Sequence, residues 1–205
     1  MTLPNRRSPF IAVMLCLLVL PASRLKAQDT GAAPRADTKL LLKAALVLSP
    51  EFCATKTKKG TWGINQETFE IGKAACVELE PALRDAFWNV VSMKEAPAPE
   101  SDAQVVLTPR FVDIGATQKM GAFSDRELVV LVEWTVRDKA GKTVWIETVQ
   151  GSAKHHMGNS FTHGKNLKLI VADSVKDMAT QSASKMAASQ ELRKVTAVKS
   201  TIEKN

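Results

Sequence analysis

Cysteine, histidine and aromatic side chains are scarce in this 205-residue chain, with three Cys, three His and an aromatic share of 5%. That scarcity thins the list of chemistries. No two cysteines stand in a C-x-x-C redox arrangement. No Gly-x-Ser-x-Gly elbow offers a nucleophile, and no His-Glu-x-x-His offers a zinc helix. A phosphate loop and a dinucleotide fingerprint are both missing, and no internal repeat is visible. Nor does any apolar run reach the ~20 residues that a helix needs to cross ~30 Å of hydrocarbon.

What is present begins at the N-terminus. Arg6 and Arg7 supply a positive tip, Phe10 to Leu20 an apolar stretch, and a short polar segment after Pro21 ends at Ala27. These are the three regions of a secretory signal peptide, so residues 1–27 are expected to be removed, with Gln28 the first mature residue. Leu25 is larger than the residue usual three places before a cut, which leaves the scissile bond open, and an uncleaved anchor is the competing reading. Cys16 lies inside the apolar stretch behind Met14 and Leu15, unlike the cysteine of a lipoprotein signal.

The leader also changes the meaning of the charge. The chain carries 28 basic and 21 acidic residues. Four of the basic ones (Arg6, Arg7, Arg24 and Lys26) and none of the acidic ones fall in residues 1–27, which leaves +3 on the remainder. Lys and Arg interleave with acids throughout, so no nucleic-acid surface is implied. About 178 residues remain, enough for one domain with its own core. In an oxidising compartment, Cys53 and Cys76 are expected to form one disulfide, with two separately buried thiols as the alternative.

Residues 28–38 are small and polar and read as a flexible leader. Leu40, Leu42, Ala44, Leu46 and Leu48 alternate with their neighbours as in a buried strand. Phe69, Gly72, Cys76, Leu79, Leu83, Phe87 and Val90 recur at spacings of three and four, predicting a helix kinked at Pro81 or two abutting helices. A linker at 95–102 precedes three strands. The first contains Pro109, which suits an edge or a bulge. The other two, around Trp134 and Trp145, are joined by a turn in which Gly141 supplies positive φ. Residues 155–164 read as a polar loop, Asn166 to Ser189 as a second amphipathic helix, and 191–205 as a charged tail that frays. The expected fold is therefore a single α+β domain over 39–190, an antiparallel-rich sheet with two helices on one face, in the order β-α-β-β-β-α.

Few groups could carry chemistry. His155, His156 and His163 fall close together and could ligate a metal, but the plainer reading is a solvated turn, since Met157 to Thr162 supply no carboxylate or thiolate. Glu133 and Glu147 on neighbouring strands are best read as a solvated face rather than a glycosidase pair. Trp88, Trp134 and Trp145 are expected in the core. Trp62, in a loop between Gly60 and Gly63, is a candidate partner contact, although core remains its default.

The strand from Lys43 to Ser49, the helix from Phe69-x-x-Gly72 to Leu83-x-x-x-Phe87-x-x-Val90, and the strand-turn-strand with Trp134, Asp138, Gly141 and Trp145 follow one pattern. Over residues 40–190 it resembles the small periplasmic and outer-membrane-associated α/β proteins of the YajG-like, LptE-like and transporter-auxiliary lipoprotein kind. Their usual lipid-attachment cysteine has no counterpart here. The resemblance implies a non-enzymatic role in envelope assembly or transport, with a sheet edge or helix face docking a partner. The expectation is an exported binding module without cofactor or catalytic residues and without a membrane span in its mature part. It would be periplasmic or secreted, peripheral to the outer membrane if tethered, and matched to an envelope protein or lipid. The alternative is a metal-binding protein or metal-dependent enzyme using residues 155–163.

Overall fold

A computed structural model of the chain describes residues 39–59, 67–98, 101–118, 125–156 and 160–202. The expected signal peptide, the leader and Trp62 lie outside the described residues. Among the described residues, seven strands and four helices follow one another: β1 (Leu40–Val47), α1 (Pro50–Cys53), β2 (Thr57–Lys59), β3 (Glu67–Phe69), α2 (Ile71–Leu83), β4 (Phe87–Met93), β5 (Val105–Gln118), β6 (Asp125–Asp138), β7 (Thr143–His156), α3 (Ser160–Ala188) and α4 (Gln190–Ile202).

Five strands form the main sheet in the order β4-β1-β5-β6-β7, while β2 and β3 pair separately. The fold is α+β, but the sheet is mixed rather than antiparallel-rich. The first strand runs parallel to both of its neighbours, β4 and β5, whereas β5, β6 and β7 form an antiparallel meander. Parallel neighbours require crossovers, and the segment holding α2 supplies the one from β1 to β4.

Alternation decides which face is covered. Leu40, Leu42, Ala44 and Leu46 of β1 are buried, as are Val105 and Leu107 of β5 and Leu128, Val130, Val132, Trp134 and Val136 of β6. The helices pack on this face. Ile71, Ala75, Leu79 and Leu83, four residues apart, bury one stripe of α2, and Ile170, Val175, Met178 and Met186 do the same for α3. Trp134 Nε1 donates to Ser182 Oγ at 2.9 Å, tying the middle of the sheet to α3.

Gly151 of β7 marks a close approach of strand to helix. A Cβ there would fall inside the van der Waals shell of the Met178 and Ser174 backbone. Only glycine lets helix and strand come this close.

The largest departure from the expected elements lies at Phe87 to Met93, which form β4 instead of extending the helix. Pro81 is accommodated inside α2, and the break comes at Arg84 to Ala86, where Asp85 and Ala86 donate back to Ala82 and Leu83. Leu40 N then donates to Ala86 O at 2.8 Å, starting the pairing with β1. Phe87, Trp88, Val90 and Val91 are aromatic or β-branched, the residue types that fit a pleated sheet. Four further elements escaped the expected order: α1, β2, β3 and α4.

At α1, Ser49 Oγ accepts from Phe52 N at 3.2 Å and Pro50 occupies the first turn. At α4, Ser189 Oγ accepts from Leu192 N at 3.3 Å, and Leu192 is fully buried. As far as Ile202, the segment read as a charged tail is thus a capped helix, with Leu192 buried and Val195 packed against the core. Pro109 stands just past Leu107, the last β5 residue paired with β1, so its missing N–H costs no ladder bond there. A register shift follows between Phe111 and Asp113. Gly141 has φ 76° in the β6–β7 turn, as its position in that turn requires.

Candidate functional site

The polar candidates separate when placed on these elements. His155 and His156 are not in a loop but end β7. Adjacent strand residues point to opposite faces, and each imidazole meets a different carboxylate. His155 Nε2 lies 2.7 Å from Asp173 Oδ2 of α3, and His156 Nδ1 lies 3.2 Å from Asp125 Oδ1 of β6. His163 falls within α3, and its side chain lies outside the described residues. Among the described residues, no group of three His, Cys, Asp or Glu is arranged to hold a metal ion.

Asp125 also takes Lys154 Nζ at 3.1 Å. The hydrogen bond from Lys154, and then that from His156, holds its carboxyl below the ordinary range. The cluster fastens the end of β7 to β6 and α3.

The two glutamates also part. Glu133 faces away from the helices and binds Arg110 Nη2 at 2.9 Å. Glu147 pairs with Trp134 in the register, hence on the covered side, and meets Lys185 of α3. Carboxylates on opposite faces of a sheet cannot share a substrate.

Cys53 and Cys76 are bonded across a Cα–Cα distance of 5.8 Å. The bond joins the last residue of α1 to the middle of α2 and closes a 23-residue separation, worth about 3 kcal/mol by chain entropy. It also holds α1 against the sheet, where Phe52 stacks on Phe111 with ring centroids 4.4 Å apart. Alkylation of the protein unfolded in denaturant is expected to label neither Cys53 nor Cys76 before reduction and both afterwards, read by mass. Labelling without reductant would refute the bridge.

Trp134 and Trp145 lie in the core as expected, but Trp88 does not. It sits on β4 with 70% of its surface exposed. A register shift lies between Leu40↔Phe87 and Lys43↔Asn89, so Leu41, 65% exposed, and buried Leu42 share the stretch beside Trp88. Val91, 53% exposed, pairs with Ala45 on the same uncovered side. Together they make an apolar corner where β4 and β1 meet, on the face opposite the helices. Single exposed apolar residues need no explanation, but three on one side of neighbouring strands, one of them a tryptophan, make a candidate contact surface. The sequence signal was the run Phe-Trp-Asn-Val-Val, whose helical spacing with Leu79 and Leu83 concealed it.

No helix among the described residues is long and apolar enough to cross a membrane. No family model matches the sequence, and no curated protein matches it. Solved structures do. A Xanthomonas campestris protein of family DUF330 aligns over 86% of this chain and 97% of its own, with TM-score 0.50 and 6% identity. A minor lipoprotein from Acinetobacter baumannii aligns over 73% and 93%, with TM-score 0.43 and 12% identity. A protein from Chlamydia trachomatis aligns over 77% and 99%, with TM-score 0.42 and 14% identity. The first of these likenesses is one of fold. This α+β architecture therefore occurs in the Xanthomonas campestris protein.

Proposed function

We propose that the protein is exported and works as a non-enzymatic binding or assembly module of the cell envelope, docking an envelope protein through the uncovered face of its sheet. The observation that carries this reading is the apolar corner of Leu41, Trp88 and Val91, beside a sheet whose other face is filled by helices. The three-part leader supports export, and the salt-bridged, divergent polar groups favour binding over catalysis. An exposed tryptophan is the kind of side chain that dominates contact energetics, because it buries a large rigid surface at little entropic cost.

Two measurements test it. Cell fractionation should find a processed product, shortened at its N-terminus, in the periplasm or loosely bound to the outer membrane. An intact product in the cytosol would end the proposal. Immobilised wild type should retain one defined envelope protein, and Trp88→Ala should lower that retention by about tenfold, the scale of a hot-spot truncation. Equal retention by the variant would remove the corner as the docking surface.

A further inference from the structure

The main sheet ends at β7, whose one neighbour in the strand order is β6. In an antiparallel ladder, alternate residues turn their backbone N–H and C=O to the same side. The β6–β7 register runs without a shift from Val136↔Trp145 to Asp125↔His156, so Ser152 and His156, four apart, turn theirs the same way. That way is outward, toward α3. Ser152 N donates to Asp177 Oδ2 at 2.9 Å, and His156 O accepts from Asn166 Nδ2 at 2.9 Å.

These bonds follow from how α3 lies along the strand. Asn166, Asp173 and Asp177 are seven and four residues apart, which sets them on one stripe of the helix. Eleven residues of helix rise roughly 16 Å, close to the roughly 14 Å that four residues of strand span. The helix runs counter to β7, so Asn166 meets His156, Asp173 meets His155 and Asp177 meets Ser152. Gly151 permits the last of these contacts. Its bare Cα lets the helix backbone at Ser174 and Met178 come against the strand one residue before Ser152.

We infer that this stripe guards the edge: Asp177 and Asn166 occupy backbone positions that a sixth strand would bond, and so hold β7 closed to strand addition. An incoming strand must offer a carbonyl to Ser152 N and an N–H to His156 O. Asp177 already supplies the acceptor at the first position, and Asn166 the donor at the second. Lys154 stands between them with its ammonium on Asp125, a further charge along the same edge. The outward amides of Gln150 and Lys154 take no side chain among the described residues. An unguarded edge of this length is a template for pairing with another chain. The inference stands apart from docking at Trp88, which lies on β4 at the other end of the sheet, and its test needs only purified protein.

Amide exchange followed by NMR reads the contact, and sedimentation velocity reads its consequence. In the wild type, the Ser152 amide should exchange at least about tenfold more slowly than those of Gln150 and Lys154. Asp177→Ala combined with Asn166→Ala should bring Ser152 to the rate of those neighbours. The same double variant should self-associate at least about tenfold more strongly than the wild type. Asp177→Asn keeps an acceptor oxygen and should leave both readouts as in the wild type. A stripe that only anchors the helix would give the double variant a lower melting temperature and no added association, which overturns the inference. So does an asparagine variant that associates as the double variant does. A wild-type Ser152 amide as fast as its neighbours overturns it too, and that measurement holds even where the double variant fails to fold.

Discussion

Gly151→Val is expected to lower the melting temperature by about 10 °C or more, or to prevent folding altogether. Gly151 faces α3 where the helix backbone at Ser174 and Met178 leaves no room for a Cβ. The obstacle is main chain, which cannot turn aside as a long side chain can, so the helix must move off the sheet. Overpacking typically costs about 1–3 kcal/mol and more where the neighbour is rigid. For a domain of this size, 1 kcal/mol corresponds to roughly 2–4 °C. Moving α3 would also disturb the Trp134–Ser182 bond and the Asp173 and Asp177 contacts with β7, which flank the same groove. Gly151→Ala should show the same effect in smaller measure. Thermal unfolding of both variants checks the claim, and an alanine variant melting within about 2 °C of wild type would contradict it.

Trp134→Ala should cost about 3–5 kcal/mol, the range for emptying a large aromatic site. Trp134 is fully buried at the centre of β6, with Leu128 to Val136 on its own strand and Val149 on the next filling the same layer. Its indole N–H has one acceptor, Ser182 Oγ, whose own proton goes to Met178 O at 2.8 Å. That chain satisfies both side-chain groups and sharpens the prediction. Ser182→Ala leaves the indole N–H buried without a partner and should cost about 1–3 kcal/mol. Trp134→Phe removes the donor while Ser182 keeps its acceptor, so it should cost less than Trp134→Ala. Denaturant unfolding of the three variants gives the order. Ser182→Ala matching wild type would show that the bond adds nothing.

Those two residues also show what sequence reading could and could not reach. The β6–β7 hairpin was legible because alternation, a polar turn and Gly141 all agreed on one register. The linker at 95–102 was marked by its prolines and charges. Phe87 to Val90 went astray because one pattern served two structures: Leu79, Leu83, Phe87 and Val90 keep helical spacing, yet the chain turns at Arg84 to Ala86. Only pairing with β1, a long-range event, decides between them. Gly151 carried no local signal, since the need for a bare Cα comes from α3, which follows in the chain. The histidines were misplaced because a polar strand end looks like a loop when its cross-strand partners, Asp125 and Asp173, are remote in sequence. Of the candidate contact residues, the sequence pointed to Trp62 and sent Trp88 to the core. Exposure at Trp88 follows from sheet topology, which composition and spacing do not encode.

The central placement of β1 bears on how the chain acquires its shape. Both of its neighbours, which begin at Phe87 and Val105, are made after it, so a polypeptide growing from its N-terminus exposes a leucine-rich segment with nothing to zip against. The β5–β7 meander, by contrast, joins strands adjacent in sequence and can form from one short stretch. In the finished sheet that earliest segment lies between β4 and β5, both of which are made later.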